Sequence, residues 1–256
     1  MISLIDTHAH LDGMDDVDAG LAAAAQAGVS GVVAVGVDLA ANRIGLEIKK
    51  RTQAPVVSLA FGIHPGNIIP EQIDETLEFT KDHRADIVAI GEIGLDYWYP
   101  WVKKDDEKKQ EQLKVFQLQL DLAKALGLPV VVHSRGAWAD CLAMVKAVGL
   151  KIAVFHWYSG PTDVLKGILE CGYFISATPA LNHSPQLQEA VKQAPIEQTL
   201  IETDSPVVYR LGDGKSFKAG PKDVFYTLDL YAKIKGVDKE EASFILNNNA
   251  KKVFGL

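Results

Sequence analysis

The chain has 256 residues, 48% of them hydrophobic and 23% charged, with a formal net charge of −7. This is an ordinary globular composition with ample material for a core, and its acidity argues against an extended basic surface for gripping duplex nucleic acid. A phosphate substrate stays open, because metal ions can supply local positive charge.

The predicted elements alternate along the chain. A strand over 2–6 runs into "DTHAHLD", where Asp6, His8, His10 and Asp12 occupy alternate positions and would share one face. Four ionisable groups so placed repel one another unless a cation neutralises them; the other reading is a polar strand exit with solvated histidines. A helix over 17–27 follows, then a strand at 32–36, a helix at 39–51, a strand at 56–61 and, just past its end, His64. A helix over 73–82 leads to the strand 87–91 and Glu92. In the next helix, 107–126, Leu113, Phe116, Leu120, Ala123 and Leu126 recur at three- or four-residue steps. Gly127 stops that helix and Pro129 opens the strand 129–133. Helices at 137–148, 162–171, 184–193 and 222–235 then alternate with strands at 152–156, 173–177 and 199–203. A last helix, 239–249, is expected to pack on the outside.

Eight strand–helix repeats imply parallel strands with helices outside, and closure at eight makes a (β/α)8 TIM barrel, here read as a single domain over 1–256 with an extra C-terminal helix. A doubly wound open sheet is the runner-up, but "GVSGVVAVG" lacks a G-x-G-x-x-G turn into a helix. No apolar stretch reaches the roughly 18 residues of a membrane span, and no signal peptide is visible. Cys141 and Cys171 lie in helix-like apolar patterns without metal or redox spacing, so both read as buried thiols of a cytoplasmic protein. No membrane contact and no obligate protein partner is indicated.

In such barrels the active site lies at the C-terminal ends of the strands. Five of the seven histidines fall there: His8, His10, His64, His133 and His156; His83 and His183 lie in helix-end or loop contexts. Glu92 and Asp204 stand at the ends of the fourth and eighth strands. Singly, each has an ordinary structural reading: a hydrogen-bonded His, a rim salt bridge, a turn or cap carboxylate. Four imidazoles (His8, His10, His133, His156) and two carboxylates aimed at one cavity suit divalent metal. Six ligands exceed one tetrahedral ion, so two metals sharing a carboxylate account for them better.

With "DTHAHLD", "FGIHPG", "AIGEIGLDY", "LPVVVHSRGAWAD", "FHWYSG", "IETDSP" and the closing "NNNAKKVFGL", the sequence resembles the TatD family of metal-dependent deoxyribonucleases, within the amidohydrolase superfamily. The resemblance implies that His8, His10 and Asp204 hold one metal, His133 and His156 a second, and that Glu92 bridges them. The chain departs from the family at Gly66, where a second His is common, at Trp157 and Tyr158, and at Ala219-Gly220-Pro221, in place of an Asn-x-Pro pattern. These positions are expected to line the mouth.

The expected reaction is hydrolysis of a phosphodiester at a DNA end by two divalent ions (Mg, Mn or Zn) that clamp the reacting oxygens and activate a water. Asp204 is the expected general base, with Glu92 as bridge and His64 as a second-tier catalytic group on a phosphate oxygen or leaving group; a His packed under the Pro65 turn is the alternative. Arg135 can present a bidentate fork to phosphate, or else form a salt bridge at the start of the following helix. Tyr97 and Trp98, with Tyr99 and Trp101, form an aromatic loop suited to stacking on unpaired bases, or else a lid packed on the rim. Two other function classes stand beside this one. A sister amidohydrolase of a lactone, amide or phosphotriester is disfavoured because no Lys occurs from Ile87 to Tyr99, where many such enzymes carry a carboxylated Lys. A non-catalytic metal-binding barrel is disfavoured because every ligand position is filled.

Overall fold

The computed structural model of the protein describes residues 2–211 and 214–256. Eight parallel strands pair in chain order: β1 (Leu4–Ala9), β2 (Val29–Val35), β3 (Val56–Phe61), β4 (Ile87–Gly94), β5 (Val130–His133), β6 (Ala153–Phe155), β7 (Phe174–Ala177) and β8 (Thr199–Ile201). Between them run α1 (Val17–Ala27), α2 (Leu39–Arg51), α3 (Ile73–Asp82), α4 (Asp106–Leu126), α5 (Trp138–Val148), α6 (Thr162–Glu170) and α7 (Pro185–Gln193), and after β8 come α8 (Val224–Lys235) and α9 (Lys239–Phe254). The helix starts follow from local chemistry: Asp16, Asp38, Asp105, Ser184 and Asp238 each accept a backbone N–H of the first turn. The architecture is the expected (β/α)8 barrel.

β8 closes on β1 through loop backbone rather than a full ladder. Asp204 N–H donates to His8 O at 2.9 Å and His10 N–H to Ser205 O at 2.7 Å. The buried Asp6 carboxylate reinforces the seam, accepting from Thr203 N at 2.9 Å and Thr203 Oγ1 at 2.6 Å. This explains why β1 lies later than the expected 2–6: its pairing groups are supplied near the end of β8, at residues 204–205.

The strands present two faces to two cores. Ile5, Val33, Ala60, Ala89, Val131, Val154, Phe174 and Leu200, one from each strand, fall in one cluster with Ala250, Val253 and Phe254 of α9. Faces from all eight strands meet only inside the barrel. The helices pack on the other face around residues such as Leu59, Ile90, Phe116 and Leu120. The C-terminal helix therefore sits differently from expectation. Asn247 Oδ1 accepts Ile5 N–H, and Asn249 Nδ2 donates to Thr199 O, so α9 plugs the barrel at the strand starts.

A short antiparallel hairpin, β9 (Val208–Arg210) and β10 (Ser216–Lys218), follows β8 and was not anticipated. Gly212 and Asp213 of "VVYRLGDGKSFKAGP" lie outside the described residues. Cys141 is buried, but Cys171, at the end of α6, is only half-buried, which corrects its expected burial. Among the described residues no helix is long and apolar enough to cross a membrane.

Candidate metal centre

A phase reversal in β1 delivers its two histidines. Leu4 and Ala9 both belong to the helix-facing core although five residues apart, which strict alternation forbids. The register against β2 shifts between Asp6 and Ala9, and such an irregularity places the extra residue that reverses the phase. Hence Asp6 joins the β1–β8 seam, while His8 and His10 turn toward the strand exits. Asp12, in the following short 3-10 turn, is half-buried. The four alternate residues do not share one face.

His8 Nε2 and His10 Nε2 lie 3.3 Å apart, and each is 3.4 Å from Glu92 Oε2. Asp204 Oδ1 stands 3.4 Å from His8 Nε2 and 3.2 Å from His10 Nε2. Donor atoms bonded to one ion at about 2.0–2.2 Å sit roughly 3–3.5 Å apart at ordinary coordination angles. Asp204 Oδ1 is buried and makes no well-formed hydrogen bond despite these neighbours. A cation among the four atoms would satisfy it.

Glu92 turns its other oxygen to the remaining pair. Oε1 is 2.8 Å from His133 Nδ1 and 2.7 Å from His156 Nε2, and those nitrogens are 3.5 Å apart. The far nitrogens are held by carboxylates: His133 Nε2 at 2.8 Å from Asp96 Oδ2, and His156 Nδ1 at 3.2 Å from Glu202 Oε1. Carboxylate support of this kind fixes the tautomer and aims the opposite nitrogen into a metal site. The trios His8–His10–Glu92 and His64–Glu92–His133 are each compact enough for an ion, as is the deeper His8–His156–Glu202.

The charges interlock. Burial disfavours ionised Glu92, but the charge of His156 and hydrogen bonds from His133 and His156 hold its pKa well below the usual range. Burial likewise opposes Asp204 ionisation and is overcome by His10 and His8. For His10, burial resists protonation, yet Asp204 and then Glu92 raise its pKa to about 9. Burial pushes His64 down to about 3. His64 Nδ1 accepts Gly66 N–H at 2.9 Å, so the proton of the neutral ring belongs to Nε2, 3.7 Å from Glu92 Oε1.

Two backbone specials flank the cluster. Asp204 has φ 49° and Trp157 φ 41°, a region that costs non-glycine residues energy and persists where surroundings dictate it. Trp157 N–H donates to Ser176 Oγ at 3.0 Å and Glu202 Oε1 at 3.2 Å.

A cleft of about 940 Å3 opens over the cluster, near the upper end for small-ligand sites. His64, Arg135, Trp98 and Trp157 line it. Tyr97 does not: it is half-buried, with its hydroxyl close enough to Asp140 of α5 for that carboxylate to raise its pKa further, beside the larger effect of burial. Trp101 is also outside the lining, stacked on Tyr99 at 4.3 Å. Arg135 commits Nε to Asp96 Oδ2 at 2.7 Å. Of the departures, Gly66 makes room for Tyr99, whose hydroxyl would lie 2.8 Å from an added Cβ. Tyr158 is core, its hydroxyl donating to Pro161 O at 2.7 Å. His183 lines the mouth, contrary to its assignment away from the site.

Sequence reading missed Asp96 and Glu202. Glu202 and Asp204 are two residues apart, so the alternation that singled out His8 and His10 applied equally there. Asp96 was obscured because β4 continues to Gly94, beyond the expected end at Gly91.

The sequence pattern of the family described as TatD related DNase matches residues 5–255. The chain is 33% identical to the putative deoxyribonuclease tatdn3 of Danio rerio, over 98% of this chain and 96% of that one. It is 30% identical to the metal-dependent hydrolase YabD of Bacillus subtilis, covering 98% of each. The crystal structure of YJJV, a TatD homologue from Escherichia coli, superposes with a TM-score of 0.89 at 26% identity, over 99% of this chain and 98% of that one. With its barrel, its donor cluster and a match spanning nearly the whole sequence, the chain belongs to the TatD-related DNase family.

Proposed function

We propose that the protein is a metal-dependent hydrolase that cleaves phosphodiesters of DNA from an end, with the whole barrel acting as one unit in the cytoplasm. The observation that carries this is the two-sided Glu92: Oε2 faces His8 and His10 at 3.4 Å, and Oε1 faces His133 and His156 at 2.8 and 2.7 Å. His8, His10 and Asp204 would hold one divalent ion, His133 and His156 a second, and Glu92 would bridge. The donor set of imidazole and carboxylate suits Mn or Zn, and Mg more weakly. When bound, the ions offset phosphate charge and lower the pKa of nearby water.

The protein's own groups divide the remaining work. Asp204, ionised through its histidine neighbours, accepts the proton of the attacking water. His64 presents Nε2–H to a phosphate oxygen or the leaving group. Arg135, anchored through Nε, turns its terminal nitrogens to phosphate, and Trp98 offers a face to an unpaired base. Relatives named as deoxyribonucleases and metal-dependent hydrolases support the reading. The test is metal analysis combined with products from end-labelled single strands. Stepwise release of nucleotides, with two equivalents of metal bound, is expected; metal-free protein of full activity would end the mechanism. Asp204→Asn protein with both ions and undiminished turnover would remove Asp204 as base.

A further inference from the structure

The wall of the cleft is built from indoles. Trp98, Trp138 and Trp157 all line it, arriving from the loop after β4, the first turn of α5 and the loop after β6. Trp98 and Trp138 meet edge to face with ring centroids 5.7 Å apart, and Trp157 rests against Tyr209 at 5.6 Å. Two of the rings are seated on glycines that admit no side chain. A Cβ on Gly160 would lie 2.6 Å from Trp138, and one on Gly136 would collide with Trp98. Trp157 is turned by its left-handed backbone, which Ser176 and Glu202 hold. The wall is therefore shaped in advance.

Its chemistry is selective. All three indoles border the open cleft, Trp98 the most exposed of them at 57%, so ring surface is available to a ligand there. Among the described residues, the acidic side chains in the lining are Glu92 and Asp204 on the floor, while Arg135 adds a cation beside the wall. Among the described residues, this acidic protein places no carboxylate on the wall itself. A flat ring attached to a phosphate on the floor matches both parts.

We infer that Trp98, Trp138 and Trp157 form a nucleobase-binding wall that holds the unpaired bases flanking the phosphate at the His/Glu cluster. Stacking of this kind tolerates any base, since every base has a π-face. The inference rests on the hydrolase reading for the position of the phosphate, but it is tested by binding alone. Chelator-treated protein is titrated with a thymidine decamer and with an abasic decamer of equal charge, following intrinsic tryptophan fluorescence. The thymidine decamer is expected to quench and to bind at least about tenfold more tightly than the abasic one. Trp157→Ala and Trp98→Ala are each expected to weaken the thymidine decamer about tenfold and to leave the abasic decamer unchanged. Equal affinity of the wild-type protein for the two decamers, or equal weakening of both by the substitutions, would overturn the wall. Base-dependent binding without metal-dependent hydrolysis would remove the proposed reaction and leave the wall standing. Hydrolysis with equal affinities would do the reverse.

Discussion

Glu92 is the residue on which both halves of the cluster depend. Glu92→Ala should weaken both ions, because it removes the shared carboxylate and leaves two cations facing each other with less charge between them. His156→Ala should weaken mainly one. Metal analysis of the two proteins distinguishes them, and equal retention of both ions in Glu92→Ala would contradict the bridge. Asp96 acts at one remove: one oxygen takes both His133 and Arg135, and the other takes Trp98 N–H at 2.9 Å. Asp96→Ala should cost about 10–100-fold in metal affinity or activity, read by competition with a chelating dye. His10 sets the pH behaviour. In the ion-free protein its pKa of about 9 exceeds its ordinary value, so its stabilising contribution is complete below about pH 6.5 and is lost as pH rises through about 9. An ion needs the same nitrogen unprotonated, so the thermal stabilisation given by added metal should be larger at about pH 8 than at about pH 6. Equal stabilisation at both would show that His10 does not ligate.

At the level of elements, the exit of β4 decides how the second half of the cluster is held. Gly94 pairs with His133 across β4 and β5, has φ 141°, and a Cβ there would run into His133 O. Only the bare backbone lets β5 approach closely enough to put His133 beside Glu92. Gly94→Ala combines an unfavourable backbone with overpacking, so a loss of about 2–5 kcal/mol is expected, with weaker binding of the second ion. Gly149, at the end of α5, has φ 74° and nothing within 4 Å of an added Cβ, so Gly149→Ala should cost only about 1 kcal/mol. Denaturant midpoints compare the two, and similar losses would mean that the β4–β5 approach is not limiting.

For the whole molecule, the cluster lies at one end of a barrel whose core is elsewhere. The inner core of Ile5, Val131, Val154 and Leu200 is sealed by α9 at the opposite end, and no strand pairing depends on an ion. Chelation should therefore abolish hydrolysis, leave the circular dichroism spectrum intact and lower the melting temperature by only several degrees. Collapse of the fold on chelation would make the ions structural. Net charge acts at this scale too. With −7 overall, general attraction for duplex DNA is weak, so single-stranded or frayed ends should be cut faster than blunt duplex, whose terminal pair costs about a few kcal/mol to open. Rapid internal cutting of a circular single strand would exclude end-threading.

The eightfold alternation of strands and helices, and histidines and carboxylates at strand exits, were legible in the sequence because both are local: a period of two or of 3.6 residues, followed by a polar residue where a strand ends. His8, His10, Glu92, His133, His156 and Asp204 could be named from that alone as one cluster of candidates. What the tertiary structure decided depends on contacts between distant segments. The β1 irregularity that diverts Asp6 to Thr203, the approach of β5 over Gly94 that ties His133 to Asp96, and the seats at Gly136 and Gly160 that raise an indole wall each join residues far apart in the chain. Periodicity carries no information about such pairings, since a side chain's partner across a barrel is set by register and closure rather than by its neighbours in sequence.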